Sequence, residues 1–365
     1  PTMPTTTRTT APATPGQPAA EAEPIGAPDQ APAPAPVAAT SMRAVTADRY
    51  GAPEVLKVAT IDRPQPGPDE VLVQVAFAGL SRAALHLLTG TPYLLRLAGF
   101  GMRAPKSPVG IELSGTVVAV GGDVTRFAVG DEVFGYAKGT CAEVAVAKED
   151  KLAHRPEGVS PAQAAAIVDS ASTALQAVRD HAEVRAGQRV LVLGASGGVG
   201  SFAVQIAKAL GAEVTATAST AKVGFVADLG ADHVVDHTTT DPLATEQPFD
   251  VIIDVGGRRP VKAMRKALAG DGTLVIVGGE GGGNLTGGFQ RQLLAPARAI
   301  GSTQRLKTFV ATEHHRYLDD LAQLVVAGDL TPAIDQTHPL VDTHLGLERM
   351  EAGQIRGKDL VDVRR

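Results

Sequence analysis

Apolar and polar side chains alternate in short runs through the first part of the chain. The runs MRAVTADRY, EVLKVATI and VLVQVAFAGL have the two-residue period of strands with one buried face, and turn residues separate them. Glycines punctuate the later run VGIELSGTVVAVGGDVTRFAVGDEVFGY, as in strands that bend or bulge. A short helix containing Leu85, Leu87 and Leu88 interrupts the strands. The pattern therefore predicts a compact β-rich domain, such as a small barrel, over residues 42–162.

A different period begins at Pro161, where the alanine-rich stretch PAQAAAIVDSASTALQAVRDHAEV predicts helix. Apolar strands then alternate with amphipathic helices, and the predicted strands are RVLVL, EVTAT, DHVVDH, FDVIIDVGG, GTLVIVGG and ARAIGSTQ. This alternation is typical of an α/β domain with a doubly wound parallel sheet, which we place over residues 163–305. Residues 306–365 revert to mixed helices and strands and are expected to return to the first domain.

The first strand of the α/β region is followed at once by a glycine-rich turn and a helix. Ala195, Gly197 and Gly200 have the spacing of the dinucleotide fingerprint, with alanine at its first position. Gly197 would let a pyrophosphate approach the backbone, and the helix, which ends at Gly211, would point its N-terminal amides at that group. Glycines also mark ordinary tight turns, but the order of strand, turn, helix and strand favours a nucleotide. The predicted cofactor-binding residues of this turn are Ala195, Ser196, Gly197, Gly198, Val199 and Gly200.

The residues after the second strand indicate which nucleotide binds. Folds that prefer NAD place an Asp or Glu about 20 residues past the fingerprint, to bind the ribose 2′-hydroxyl. Here residues 217–222 are TASTAK, with no carboxylate. The hydroxyl of Ser219 and the ammonium of Lys222 suit a 2′-phosphate, so NADPH is the predicted cofactor. The alternative is that Lys222 is a solvated lysine and Ser219 a helix cap.

Glycine pairs follow two further strands of the predicted sheet. Gly256, Gly278 and Gly279 lie at carboxyl ends of strands, where open α/β sheets bind ligands, and we predict that they contact the cofactor. Simple turns would also account for these pairs. The glycine-rich loop of residues 278–288 is either a flap over the substrate entrance or a loose connection.

Composition disfavours several other classes of protein. The chain has 34 basic and 39 acidic residues and a net charge of −5, which gives no reason to expect nucleic acid or a membrane as a partner. Cys141 is the single cysteine, so a cysteine-rich metal site cannot form within one chain and a cytoplasmic location is expected. Residues 1–41, rich in proline, alanine and threonine, are expected to be a disordered leader.

The order of these segments resembles the medium-chain dehydrogenase/reductase superfamily, and in particular its zinc-free quinone reductase branch. The strings that support the resemblance include GASGGVGSFAVQIAKALGAEV, STALQAV, LGADHVVDH and RGKDLVDV. The resemblance implies a GroES-like catalytic domain, a Rossmann cofactor domain and hydride transfer from NADPH to a small molecule. It also implies a homodimer or homotetramer, and it places Thr173 beside the nicotinamide, with a helix cap as the alternative role.

Two departures from the family pattern affect the predicted chemistry. The position of the zinc-binding GHE motif has Gly110, Ile111 and Glu112 in this chain, so no metal site is expected. Ser81 stands where quinone reductases usually place an asparagine near the nicotinamide, which makes it a candidate for hydrogen bonding to the substrate. Tyr93 is the candidate proton donor, because related enoyl reductases have a tyrosine at a comparable place, although a half-buried loop aromatic is the simpler explanation of this residue.

The sequence therefore predicts a zinc-independent, NADPH-dependent reductase of quinones or α,β-unsaturated carbonyl compounds. Hydride delivery to such acceptors depends more on positioning than on a strong acid, which agrees with the lack of a serine, histidine and aspartate arrangement. Two alternatives stay open: an enoyl-thioester reductase, and a protein of the same fold that binds NADPH without catalysis.

Overall fold

A computed structural model describes residues 40–96, 101–102, 108–278, 283–287 and 301–365, and all structural statements below concern these residues. They belong to one compact unit that spans Val37–Arg365. The predicted leader of residues 1–41 therefore lies almost entirely outside the described residues, and the first strand begins at Ser41.

The N-terminal part of the described chain is rich in antiparallel β-structure, as its alternating pattern predicts. Its strands and helices are β1 (Ser41–Thr46), β2 (Lys57–Asp62), β3 (Glu70–Gly79), α1 (Arg82–Thr89), α2 (Tyr93–Leu95), β4 (Glu112–Val120), β5 (Glu132–Tyr136), β6 (Val144–Lys148) and β7 (Leu152–His154). The strand β3 pairs with both β4 and β6, and β1 pairs with β2 in a separate two-stranded sheet.

The middle of the chain forms an α/β region around a parallel sheet. Its elements are α3 (Pro161–Ala166), α4 (Asp169–Leu175), β8 (Arg189–Leu193), α5 (Gly198–Ala209), β9 (Glu213–Ala218), α6 (Val223–Asp228), β10 (His233–Asp236), β11 (Phe249–Asp254), α7 (Val261–Ala267), β12 (Leu268–Ile276), α8 (Gly283–Thr286) and β13 (Arg305–Thr308). The strand order is β10-β9-β8-β11-β12-β13, and all five pairings are parallel. This order reverses at β8, as in the Rossmann fold.

The C-terminal segment joins the antiparallel sheet of the N-terminal part. It contains α9 (His315–Ala327), β14 (Ile334–Pro339), α10 (Thr343–Glu351) and β15 (Lys358–Asp362). The strand β15 pairs antiparallel with β3 and parallel with β14, so the larger sheet has the order β14-β15-β3-β4-β5-β7, with β6 on β3. The last strand of the chain thus lies beside the longest strand of the first part.

Apolar side chains fill both faces of the parallel sheet. Val190 and Val192 of β8 belong to the core that contains helices α4, α5 and α9, while Leu191 and Leu193 belong to the core under α7. Because neighbouring residues of one strand point to opposite faces, β8 is buried on both sides and is almost wholly apolar. This architecture, a β-rich antiparallel part with a doubly wound parallel sheet, agrees with the fold class predicted from the sequence.

Two predictions about elements were wrong in detail. The sixth strand of the sheet is β13, with the sequence RLKT, whereas ARAIGSTQ was predicted; residues 301–304 form turns and residues 297–300 lie outside the described residues. Only Leu306 of β13 is buried, because the strand is at the sheet edge, so its sequence lacks a strong apolar run. The predicted long helix after Pro161 is interrupted at residues 167–168 between α3 and α4.

The single thiol of the chain is deeply buried in the antiparallel part. Cys141 has no exposed surface and packs within the core that includes β3, β4 and Leu340. Burial, together with the nearby Glu112 carboxylate, raises the pKa of this thiol to about 12. A protonated, enclosed thiol is neither a nucleophile nor a metal ligand under ordinary conditions.

Candidate active site

A cavity of about 780 Å³ lies between the carboxyl edge of the parallel sheet and the antiparallel part of the molecule. Its walls include the glycine turn after β8, the ends of β9, β11 and β12, the start of α1, one face of α4, and the loop between α10 and β15. Ligands of open α/β sheets bind at this edge, where the strand order reverses. The cavity therefore lies where the sequence places the cofactor.

The glycine turn leaves room for a pyrophosphate at one position and for close packing at another. Gly197 caps the N-terminus of α5, and a Cβ built on it would meet only the Gly194 carbonyl oxygen, at 3.8 Å. A Cβ on Gly200 would lie 2.1 Å from that same oxygen, so Gly200 holds α5 against the turn. The first amides of a helix have no partner within the helix and form an anion site. These residues fit the diphosphate of a dinucleotide.

The other predicted residues of the turn also lie at or near this cavity. Ser196, Gly197, Gly198 and Val199 line it, whereas Ala195 and Gly200 are buried behind it. Gly256 and Gly278 line it from the ends of β11 and β12, and Gly279 lies outside the described residues.

Ser219 and Lys222 lie together on the cavity wall after β9, where the sequence predicts a 2′-phosphate site. Lys222 Nζ already donates hydrogen bonds to the Gly353 carbonyl oxygen (2.7 Å) and the Ile355 carbonyl oxygen (2.6 Å). Burial lowers the pKa of this ammonium. The alternative of a freely solvated Lys222 is therefore wrong. Ser219 occupies the N-cap position of a short 3₁₀ turn, but its side chain forms no capping hydrogen bond.

Thr173 and Ser81 approach the cavity from two different helices. Thr173 lies inside α4, so its alternative role as a helix cap is wrong, and the residue lines the cavity. Ser81 caps α1, where its side chain accepts a hydrogen bond from the Ala84 amide (3.5 Å), and it is buried at the cavity wall. The Ser81 side chain lowers the pKa of the Asp169 carboxyl group.

Sequence reasoning missed a cluster of three charged residues beneath these hydroxyls. Lys358 Nζ contacts both carboxylate oxygens of Glu112, at 2.9 and 3.0 Å, and donates to the Leu80 carbonyl oxygen at 2.9 Å. The Asp169 amide donates to Glu112 Oε2 (3.1 Å), and the Asp169 residue lines the cavity. The sequence offered three signals for this cluster. Glu112 stands at the position of the zinc-binding motif, Lys358 lies in the string RGKDLVDV, and Asp169 is a carboxylate in an alanine-rich helical stretch.

The electrostatic surroundings of Asp169 keep its carboxyl group partly protonated near neutrality. Burial is the largest cause, and the Glu112 carboxylate adds to it, so that the pKa of Asp169 rises to about 7. Lys358 and the Ser81 side chain oppose this shift. A group with this pKa can give or take a proton at physiological pH.

Tyr93 is not brought to this site. Its residue is 43% exposed, it is not among the residues that line the cavity, and the Arg96 guanidinium lies 4.6 Å from its ring centroid. Tyr93 begins the short helical turn α2, which lies outside the cavity wall. The structure thus places the predicted proton donor on the surface.

The position of the zinc-binding motif has a donor set that does not fit zinc. Ile111 offers no ligand atom, both oxygens of Glu112 accept from Lys358, and Cys141 is a buried thiol of raised pKa. Within the described ranges, no group of three or more His, Cys, Asp or Glu side chains is arranged to hold a metal ion. Likewise, no helix there is long and apolar enough to span a membrane.

Comparison with known proteins agrees with this geometry. A family profile described as "Alcohol dehydrogenase GroES-like domain" matches residues 67–227, and one described as "Zinc-binding dehydrogenase" matches residues 229–361. The chain is similar to the mitochondrial NAD(P)H oxidoreductase RTN4IP1 of Homo sapiens, with 32% identity over 89% of this chain and 90% of that protein. It is also similar to the chloroplastic quinone-oxidoreductase homolog of Spinacia oleracea, with 30% identity over 89% of this chain and all of that protein (100%).

A solved structure is also similar to this chain. The quinone oxidoreductase from Coxiella burnetii superposes with a TM-score of 0.77 and 28% identity, covering 89% of this chain and 100% of that one. The fold and the matched profiles define an oxidoreductase whose relatives use a nicotinamide cofactor. The chain belongs to the medium-chain dehydrogenase/reductase superfamily, which confirms the resemblance seen in the sequence.

Proposed function

We propose that this chain is a zinc-independent, NADPH-dependent reductase of quinones or α,β-unsaturated carbonyl compounds. The observation that supports it best is a single cavity lined by the glycine turn at Gly197, by Ser219 and Lys222 after β9, and by Ser81 and Asp169 from the opposite side. Such a cavity can hold the phosphates at one end and leaves polar groups at the other. The names of the relatives, an NAD(P)H oxidoreductase and a quinone-oxidoreductase homolog, agree with this proposal.

The cofactor choice rests on charge at the end of β9. No carboxylate stands among residues 217–222, and Lys222 and Ser219 line the cavity there. A 2′-phosphate would find a cation and a donor and no repelling anion. An ammonium group has three N–H donors. Two of those of Lys222 bind the carbonyl oxygens of Gly353 and Ile355 and so hold the loop between α10 and β15. The third can bind a phosphate.

The residues of the chain supply binding, orientation and proton handling, and bound NADPH supplies the hydride. The α5 amides and Gly197 hold the diphosphate, while Thr173 lies on the α4 face that lines the same space. Because Ile111 replaces a zinc ligand and Lys358 neutralises Glu112, the proposed reaction uses no Lewis acid from the protein. Polarisation of the acceptor carbonyl then falls to hydrogen bonds.

The test is a panel of acceptors in which NADPH oxidation is followed by its own absorbance. A quinone, an enone and a crotonyl thioester are compared, each with and without a strong zinc chelator. We expect oxidation with the quinone or the enone and no loss of rate with the chelator. Faster turnover of the thioester would favour an enoyl-thioester reductase. Tight NADPH binding with no oxidation by any acceptor would favour a binding protein without catalysis.

The cytoplasmic location and the dimeric or tetrameric state are further parts of this proposal. The relatives named above are mitochondrial and chloroplastic proteins, so the location needs its own measurement in cells. Sedimentation of the purified chain would determine the number of subunits.

A further inference from the structure

Asp169 is one of the residues that line the cavity, and cofactor binding does not require its carboxyl group. Reduction of an enone or quinone adds a hydride and also a proton, and Tyr93, the donor expected from the sequence, lies on the surface. Resting on the proposed function, we propose that Asp169 is the proton donor of the reduction and that Ser81 orients its carboxyl group. Ser81 thus has a role of its own at the position where the family pattern has an asparagine.

The placement of Asp169 supports this role. Asp169 and Thr173 are four residues apart on α4, so they lie on one face of the helix, and both line the cavity. Ser81, just before α1, lines the same cavity, and its side chain favours the ionised form of the Asp169 carboxyl group. A Cβ on Gly198 of the glycine turn would lie 2.8 Å from Ser170 Oγ, so α4 packs directly against the phosphate end of the site.

Charged groups from several parts of the chain act on Asp169. Glu112 on β4 and Glu313 before α9 disfavour its carboxylate, and Lys358 on β15 favours it. Lys358 is already matched by both oxygens of Glu112, which leaves Asp169 without a cation of its own in this cluster. Arg82 and His86 of α1 line the same cavity. The resulting pKa near 7 is the value at which a general acid is most useful at neutral pH.

Hydride and proton reach the acceptor from two different donors. The β-carbon of an enone accepts a hydride from the dihydronicotinamide, and the electron pair of the broken C=C π-bond moves toward the carbonyl oxygen to give an enolate. In a quinone, one carbonyl oxygen accepts the hydride, and electrons shift through the ring to the other oxygen to give a hydroquinone anion. The O–H bond of the Asp169 carboxyl group breaks, and its proton passes to the resulting enolate or hydroquinone anion. The Asp169 carboxylate then regains a proton from water, so one NADPH and one proton are consumed per acceptor.

The test compares Asp169→Asn and Asp169→Glu with Asp228→Asn, which removes an equal charge from an exposed position on α6. We expect Asp169→Asn to lower kcat by about 10²-fold, the usual contribution of a general acid, while the Kd for NADPH changes by less than about twofold. Asp169→Glu keeps a carboxyl group and should recover part of the rate. Asp228→Asn should behave as the wild type.

The dependence of kcat/KM on pH distinguishes a proton donor from a residue with a purely structural role, because replacing a structural residue would not change that dependence. A general acid must be protonated to act, so the kcat/KM of the wild type should fall as pH rises through about 7. The Asp169→Asn variant should not show this decrease. Ser81→Ala removes a hydroxyl group that lowers the Asp169 pKa, and should therefore move this decrease in kcat/KM to higher pH. If the wild type is active and the Asp169→Asn variant has the same activity and the same pH profile, Asp169 is not the proton donor, although the proposed function still stands. A wild type that oxidises NADPH with none of the acceptors would overturn the proposed function as well.

Discussion

Gly197 and Gly200 belong to one motif but have different physical roles. The space above Gly197 is open, whereas Gly200 lies against the Gly194 carbonyl oxygen, where a Cβ would come within 2.1 Å. Gly197 thus keeps the cavity accessible to the diphosphate, and Gly200 keeps helix and turn together. One glycine serves the ligand and the other serves the fold.

Alanine at each position should separate these roles. Gly197→Ala should leave the free energy of unfolding within about 1 kcal/mol of the wild type and weaken NADPH binding by at least roughly tenfold, since the new methyl group fills the ligand space. Gly200→Ala should destabilise the fold by about 2–4 kcal/mol through overpacking. Denaturant unfolding and cofactor titration by fluorescence measure both effects. Equal loss of stability in the two variants would contradict this division.

Lys222 offers a second comparison at the residue scale. Lys222→Ala should raise the KM for NADPH by about tenfold or more and that for NADH much less, because the 2′-phosphate is present only in NADPH. Lys262→Ala, at an exposed position of α7, is the matched control. Lys222 also binds the Gly353 and Ile355 carbonyl oxygens. An equal rise in KM for NADPH and NADH would mean that Lys222 acts only by holding the loop that contains Gly353 and Ile355.

Local motifs were predictable from the sequence, and the charged cluster was not. The glycine turn depends on neighbours within a few residues, so its spacing identifies it. Asp169 and Glu112 are 57 residues apart, and Lys358 and Glu112 are 246 apart. Only the folded sheets bring these residues together, and the spacing of apolar residues along the sequence does not indicate such a contact. A single aspartate in an apolar helical stretch is a weak signal, because an exposed or capping aspartate would give the same pattern.

At the scale of elements, β15 connects the C-terminus to the interior of the molecule. It pairs with β3 on one side and β14 on the other, and its first residue, Lys358, reaches Glu112 on β4 and the Leu80 carbonyl oxygen. Both members of this ion pair are almost fully buried. Loss of one partner would leave a buried charge without compensation, which is costly.

Lys358→Ala should accordingly lower the free energy of unfolding by about 3–5 kcal/mol. Lys148→Ala is the control, since Lys148 forms an exposed ion pair with Asp69 at 3.3 Å and should matter by less than about 1 kcal/mol. Chemical denaturation of both variants provides the measurement. Similar midpoints for Lys358→Ala and the wild type would show that the pair contributes little.

Elements with strong apolar patterns were predicted well, whereas the edge strand β13 was not. β8 and β11 are buried on both faces and were recognised from their valine and isoleucine runs. β13 needs to bury only Leu306, so its sequence looks like a loop. Solvent covers one side of an edge strand, so fewer of its positions hold apolar side chains and its sequence shows a weaker apolar pattern.

At the scale of the whole molecule, Asp169 makes stability depend on pH. Its pKa in the folded state, about 7, is above that of an exposed aspartate, so the folded protein holds this proton more tightly than the unfolded chain. The associated stability is fully present below about pH 4 and is lost as pH rises to about 7.

Asparagine resembles the neutral acid, so the Asp169→Asn variant should not lose stability over this pH range through position 169. Relative to the wild type, it should gain roughly 3 kcal/mol in the free energy of unfolding on going from about pH 4 to about pH 7. Denaturant unfolding curves of both proteins at the two pH values provide the measurement. A relative gain that is larger at the lower pH would contradict the sign of the shift.

The seclusion of Cys141 provides an internal reporter of how often the molecule opens. The chain has one thiol, and it is enclosed and protonated in the native state. A thiol reagent can modify it only in molecules that have opened their antiparallel core, so the labelling rate counts openings rather than surface collisions. Adding cofactor or acceptor before the reagent would then report, from a single sulfur atom distant in sequence from the glycine turn, how strongly a ligand stabilises the closed molecule.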